Sequence, residues 1–208
     1  DTRIFTETAK VYAKDYVYKI DGVIFTPIGL RVGEKLFKPY NVDRDYDGRW
    51  ASLLKWKPPI ENTIDFLIKY KKDPDDQTKD QIVYINYKNK ISGYKILVLH
   101  VGYDPAQHTK HNSCKVMNED LQFEPGYKPT PFVPINPYMK NSHLAYVPVV
   151  NGKLSCEDKS LIFDGNIVEF RCNEDKDSPI HWIPTRVRET LKPNDFVTAS
   201  NVWKSIHK

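Results

Sequence analysis

The sequence predicts an α+β protein that is mostly β, with short strands in series, no helices between them and one helix at the C-terminal end. The clearest strand is 63–70. Ile64, Phe66, Ile68 and Tyr70 fall on one face and Thr63, Asp65 and Lys69 on the other, a period of two. Further strands are expected at 81–87, at 94–103 with Asn89 near the turn, at 144–150, and at 160–172 with Asp164-Gly165 as a turn or bulge. Such a series is the pattern of a small β-barrel. The helix is expected over 194–207, where Phe196, Ala199, Val202 or Trp203, and Ile206 recur at helical spacing. Asn194 is the expected cap and Trp203 an expected core residue.

Two strands are expected before residue 63. Residues 18–25 read as a strand interrupted by Asp21-Gly22, both poor strand formers. That pair is either a hairpin turn or a carboxylate beside a glycine that lets a ligand or neighbouring backbone come close. Residues 50–59 read as a strand with Lys55 and Lys57 on one face and Leu54 and Trp56 on the other. Two ammonium groups side by side repel unless an anion sits between them, and a nucleotide phosphate suits them. The plainer reading is two solvated lysines on a half-exposed strand.

Composition narrows the classes. The 40% hydrophobic fraction can form a core, and 31 Lys+Arg against 27 Asp+Glu give a net charge of +4, mild enough to exclude a histone-like tail. The three cysteines, Cys114, Cys156 and Cys172, form no CxxC pair, which disfavours a disulfide scaffold or structural zinc and fits a reducing compartment. His108, His111 and Cys114 lack a usual zinc spacing and read as loop. The alternating acids at 43–48 lack the downstream glutamate of a calcium loop. Residues 71–80 contain no apolar residue and read as a linker or exposed loop. Six prolines between 124 and 148 mark a long irregular segment. No apolar run reaches membrane-spanning length. The opening residues lack both an initiator Met and a signal-peptide pattern, as expected of a piece of a longer polypeptide.

Three stretches, taken in order, resemble consecutive motifs of the covalent nucleotidyltransferases. They are Ile20-Asp21-Gly22-Val23-Ile24-Phe25-Thr26-Pro27, Leu53-Leu54-Lys55-Trp56-Lys57-Pro58 and Asn62-Thr63-Ile64-Asp65-Phe66. The pattern is most similar to the guanylyltransferase of mRNA-capping enzymes from large cytoplasmic DNA viruses and related cytoplasmic elements. The resemblance implies that Asp21 helps hold a catalytic metal, Mg2+ or Mn2+, and that Lys55 and Lys57 contact the α-phosphate of GTP. The family's nucleophile is the lysine of a Lys-x-Asp-Gly motif. Lys19-Ile20-Asp21-Gly22 has those letters, but no second acid-Gly strand lies between it and Lys55. Phe25-Thr26-Pro27 also fits the later motif better, which puts the nucleophile outside this chain.

Ile167-Val168-Glu169-Phe170 is similar to the segment before the family's last motif, and Trp182–Asn194 is similar to that motif itself. It offers two guanidinium groups on one face, Arg186 and Arg188, suited to a pyrophosphate. Pro193-Asn194 follows. Glu189-Thr190 stands near the family's usual Asp-Lys and the motif is one residue short, so the resemblance implies Lys192 as the substitute phosphate ligand. The plain alternative is a surface strand of basic residues.

The resemblance therefore implies a nucleotidyltransferase portion with an ATP-grasp-like antiparallel sheet at 1–72, then an OB-fold barrel with a C-terminal helix at 73–208. The implied partners are GTP, 5′-diphosphate RNA, the upstream part of the same domain, and triphosphatase and methyltransferase domains of the same polypeptide. The implied location is the host cytoplasm, a viral factory or the virion, without a membrane partner. An ATP-dependent polynucleotide ligase would share the motifs, and a non-catalytic RNA-binding OB-fold subunit would be built on the same barrel. The Trp182–Arg188 ending argues against the ligase.

Overall fold

The computed structural model describes residues 3–18, 20, 22–34, 50, 52–87, 89–103, 128–175 and 178–207. They form two compact units, 1–61 and 62–208. The expected boundary at 72/73 falls inside the second unit, because the 63–70 strand pairs on both sides within it.

In the first unit, α1 (Arg3–Tyr12) is followed by β1 (Val23–Phe25) and β2 (Leu54–Trp56), paired antiparallel with Ile24 opposite Lys55. The helix has no counterpart in the sequence reading. It buries no residue, although Ile4, Phe5, Ala9 and Tyr12 recur on one side at helical spacing, and local links such as Glu7–Lys10 at 2.7 Å support it. Both strands are shorter than expected, and Pro58 and Pro59 end β2 in a 3-10 turn. Leu54 and Trp56, read as the face opposite the lysines, are 63% and 45% exposed. Tyr12 sets its ring edge-on to Trp56, centroids 5.6 Å apart.

The second unit is a seven-stranded antiparallel sheet. Its strands are β3 (Thr63–Tyr70), β4 (Ile82–Tyr87), β5 (Lys90–Tyr103), β6 (Lys128–Pro131), β7 (Leu144–Pro148), β8 (Ile167–Cys172) and β9 (Trp182–Arg188). The path runs β4-β5-β3-β8-β9, and β6 and β7 also pair with the long β5. Among the described residues no pairing closes this sheet into a barrel. The 71–80 run belongs inside the unit as the β3–β4 loop. It is held by a Lys72–Asp80 ion pair at 2.7 Å and by backbone bonds from Lys71 to Ile96 and from Gln81 to Lys71. The strand expected at 160–172 starts only at Ile167, because Gly165 takes φ +85° in a turn that Asp164 ties to Tyr70 N at 2.6 Å.

The period-two reading of β3 holds in detail: Ile64, Phe66 and Ile68 are all fully buried. Phe66 meets Trp182 at 5.1 Å and Phe132 at 5.4 Å, and Trp182 meets Trp203 at 5.7 Å. Trp203 comes from α2 (Phe196–Ile206), the expected helix, which buries Phe196, Ala199 and Trp203. Its cap is Asp195 rather than Asn194. The Asp195 carboxylate accepts from Thr198 N at 2.8 Å. Asn194 instead bonds β3 twice, donating from its N to Asp65 O and accepting Asp65 N on Oδ1, both at 2.9 Å. Phe66→Ala should cost about 4 kcal/mol. Thermal unfolding of the second unit should then shift by on the order of 10 °C; a shift of a degree or two would place Phe66 outside the core.

Candidate functional site

Each unit carries one set of the residues singled out from the sequence. In the first, Lys55 lies in β2 and is exposed, and Lys57 lies one residue beyond the strand and is half-buried. Gly22 explains how they are placed. It has φ +149°, and a Cβ built on it would sit 2.2 Å from Trp56 O and 2.8 Å from Lys57 Cβ. Only glycine lets the backbone of the lysine strand lie this close. The close approach expected of Gly22 is thus met by neighbouring backbone. Gly22→Ala should push β2 off β1 and lower any activity of the lysine pair by roughly tenfold or more, the scale of a misplacement near 1 Å. Unchanged activity would mean that Gly22 does not place Lys57.

Asp21 and Lys19 lie outside the described residues, as do the acidic loop at 43–48, His108, His111 and Cys114. Among the described residues no group of three or more His, Cys, Asp or Glu could hold a metal ion. Cys156 and Cys172 are buried free thiols, pushed up by burial to about 11 and about 12, so neither is a ready nucleophile.

In the second unit, Arg186 and Arg188 share one face, and a bulge puts them there. β8 and β9 pair Glu169 with Arg186 but Phe170 with Pro184, leaving Thr185 as the extra residue. Before the bulge the inward residues of β9 are Trp182 and Pro184; after it Val187 packs on the core. Without the extra residue Arg186 and Arg188 would share a face with Trp182 and point into the core. Thr185 Oγ1 donates to Glu169 O at 3.0 Å and so satisfies the bulged backbone.

That face also carries two acids which the sequence reading did not assign to the site. Asp65, Glu169 and Arg186 are direct cross-strand neighbours on β3, β8 and β9. Glu169 is 9% exposed. Its Oε2 binds Arg186 Nε and lies 3.6 Å from Arg188 Nη1, and its Oε1 accepts Thr63 Oγ1 at 2.6 Å. Asp65 Oδ2 lies 3.4 Å from Arg188 Nε, which is buried and makes no hydrogen bond. The signals in the sequence were a carboxylate within the apolar run Ile167–Phe170 and Asp65 on the polar face of β3. Lys192 is exposed in the turn after β9.

The two carboxylates titrate in opposite directions. Burial pushes Glu169 up, but hydrogen bonds from Thr63 and Arg186 and the charges of both arginines outweigh it and hold the carboxyl below its usual range. Burial is the largest cause at Asp65 and raises it; Glu169 adds to this and Arg188 opposes it. Glu169 therefore contributes stability above its unfolded pKa that is lost as pH falls through its lower folded value. Asp65 works the other way: its ionisation costs the fold, and protonating it returns stability as pH falls toward its unfolded value. Glu169→Gln should destabilise the second unit by about 2 kcal/mol at pH 7, less than a fully buried pair because Arg186 is half-exposed. Asp65→Asn should cost little or stabilise. Urea unfolding of both variants at pH 7 checks this, and a larger loss for Asp65→Asn would reverse the assignment.

Among the described residues no helix is long and apolar enough to cross a membrane. No family model matches the sequence. The chain is 29% identical over 213 residues, 94% of its length, to a probable mRNA-capping enzyme of Acanthamoeba polyphaga mimivirus, of which it covers 16%. Over 58 residues, 28% of its length, it is 40% identical to an mRNA-capping enzyme of Mus musculus, of which it covers 7%. The chain thus spans a small part of the relatives it matches, and these similarities support a relation to the mRNA-capping enzymes.

Proposed function

We propose that this chain is the C-terminal part of a guanylyltransferase that caps mRNA, followed by an OB-fold. The observation that carries the reading is the lysine pair: Lys55 in β2 and Lys57 one residue past its end, in a segment whose backbone lies directly on Gly22. This pair lies in a chain that resembles a probable capping enzyme over nearly its whole length. The reaction has two steps. The amine of a lysine outside this chain attacks the α-phosphate of GTP, so an N–P bond forms, the bond to the β-phosphate breaks and pyrophosphate leaves. The 5′-diphosphate end of RNA then attacks the same phosphorus and releases the lysine.

Lys55 and Lys57 stabilise charge developing on the α-phosphate oxygens. Arg186, Arg188 and Lys192 hold the β- and γ-phosphates. A divalent cation, Mg2+ or Mn2+, bound with the help of Asp21 belongs to the same proposal. Chelation should abolish adduct formation, and added metal should restore it in the parent protein far better than in Asp21→Asn. Triphosphatase and methyltransferase domains on the same polypeptide, and a cytoplasmic or virion location, are further parts of this reading.

The experiment is incubation with α-labelled GTP or ATP, followed by denaturing gels and peptide mapping. A covalent GMP adduct is expected with the complete protein and none with residues 1–208 alone. A label mapped to Lys19 would overturn the placement of the nucleophile. An adduct formed only from ATP would point to a ligase.

A further inference from the structure

We propose that Glu169 and Asp65 play unequal parts toward the two arginines. Glu169 is a positioning residue that fixes both guanidinium groups, and Asp65 is an internal stand-in for phosphate that an incoming polyphosphate displaces from Arg188. The inference rests on the phosphate-binding role given above to Arg186 and Arg188.

The geometry separates the two acids. Glu169 is anchored: Thr63 donates to one oxygen, and the other oxygen faces both arginines. Asp65 is held loosely on its side-chain oxygens. Its contact with Arg188 spans 3.4 Å, and the Nε at that contact makes no hydrogen bond. A guanidinium nitrogen that is buried and unsatisfied gains most from a better acceptor. A phosphate oxygen is such an acceptor, charged and free to approach at hydrogen-bonding distance. Asp65 and Glu169 are also directly opposite across β3 and β8, where like charges repel. As Arg188 turns toward a phosphate, Asp65 loses a partner it held poorly, and Glu169 keeps Arg186 and Thr63. The four charges of the cluster cancel: two arginines against two carboxylates. A neutral cluster does not draw anions over long range, so affinity is set by this local exchange.

The variants should therefore move in opposite directions. Asp65→Asn removes the competitor and should tighten binding of inorganic pyrophosphate to the protein by roughly threefold. Glu169→Gln frees both guanidinium groups and should weaken binding by about tenfold or more. Glu169→Asp, which keeps the charge, should recover part of the loss, a rescue that distinguishes positioning from simple loss of structure. Titration calorimetry with pyrophosphate reads this, with Arg188→Ala as the control that removes the binding partner and with circular dichroism at the same temperature reporting folding. Weaker binding in Asp65→Asn, or no pyrophosphate binding by the parent protein, overturns the exchange. If pyrophosphate binds through Arg188 with this split but GTP gives no adduct, the exchange stands and the guanylyltransferase reading falls. If the adduct forms and both carboxylate variants bind pyrophosphate like the parent, the reading stands and the exchange falls.

Discussion

Lys55→Ala or Lys57→Ala in the complete protein is expected to cut formation of the GMP adduct by about a hundredfold or more, the scale of one preorganised charge contact in a reaction centre. The effect is large because β2 has little freedom. Val23, Ile24 and Phe25 pair with Trp56, Lys55 and Leu54, and Gly22 brings the backbone of Lys57 into contact. Losing an ammonium there cannot be offset by a neighbour sliding along the strand. Lys69→Ala is the matching control. Lys69 lies on the polar face of β3, exposed, and paired with Asp164 at 3.7 Å, a separation at which an exposed pair contributes little. It should leave adduct formation nearly unchanged. Equal losses at all three positions would reduce the lysine strand to a diffuse basic field.

The second large effect separates the two steps of the reaction. Arg186 and Arg188 belong to the second unit and the lysine pair to the first, and the chain passes from one unit to the other at Glu61–Asn62. The 71–80 run, expected as a linker or exposed loop, is instead built into the second unit. If the arginines hold the β- and γ-phosphates, they act before pyrophosphate leaves. Arg188→Ala should then lower adduct formation by about a hundredfold. Transfer of GMP from preformed, pyrophosphate-free adduct to diphosphate-ended RNA should fall by less than about threefold. Equal losses in both steps would make Arg188 a contact to the RNA backbone, and its removal should then flatten the salt dependence of RNA binding.

Much of the second unit was legible in the sequence, because burial and strand periodicity coincide there. β3 is found at the expected residues with the expected inner face, and α2 falls within the expected span with Trp203 in the core. What escaped were features that depend on pairing between distant segments. The bulge at Thr185 reverses which residues of β9 face inward, and no local pattern states that. Pro184 in a strand was its one sign. Asp65 and Glu169 meet only because β3 and β8 are neighbours, and they are far apart in sequence. The cap was misplaced by one residue, since Asn194 is engaged by the backbone of Asp65 and leaves Asp195 to close the helix. In the first unit the expected strands shrank to three residues each, because Gly22 on one side and Pro58 on the other interrupt them.

The account turns on a phosphate that moves from nucleotide to lysine to RNA. Its most direct measurement is a chase: form the adduct with α-labelled GTP in the complete protein, remove free nucleotide and pyrophosphate, and add RNA carrying a 5′-diphosphate. The label should leave the protein and appear in a guanosine cap on the RNA. It should return to the nucleotide pool as GTP when pyrophosphate is added in place of RNA. Label that stays on the protein under both conditions, or is released only as free GMP, would contradict the guanylyl transfer proposed for the complete protein.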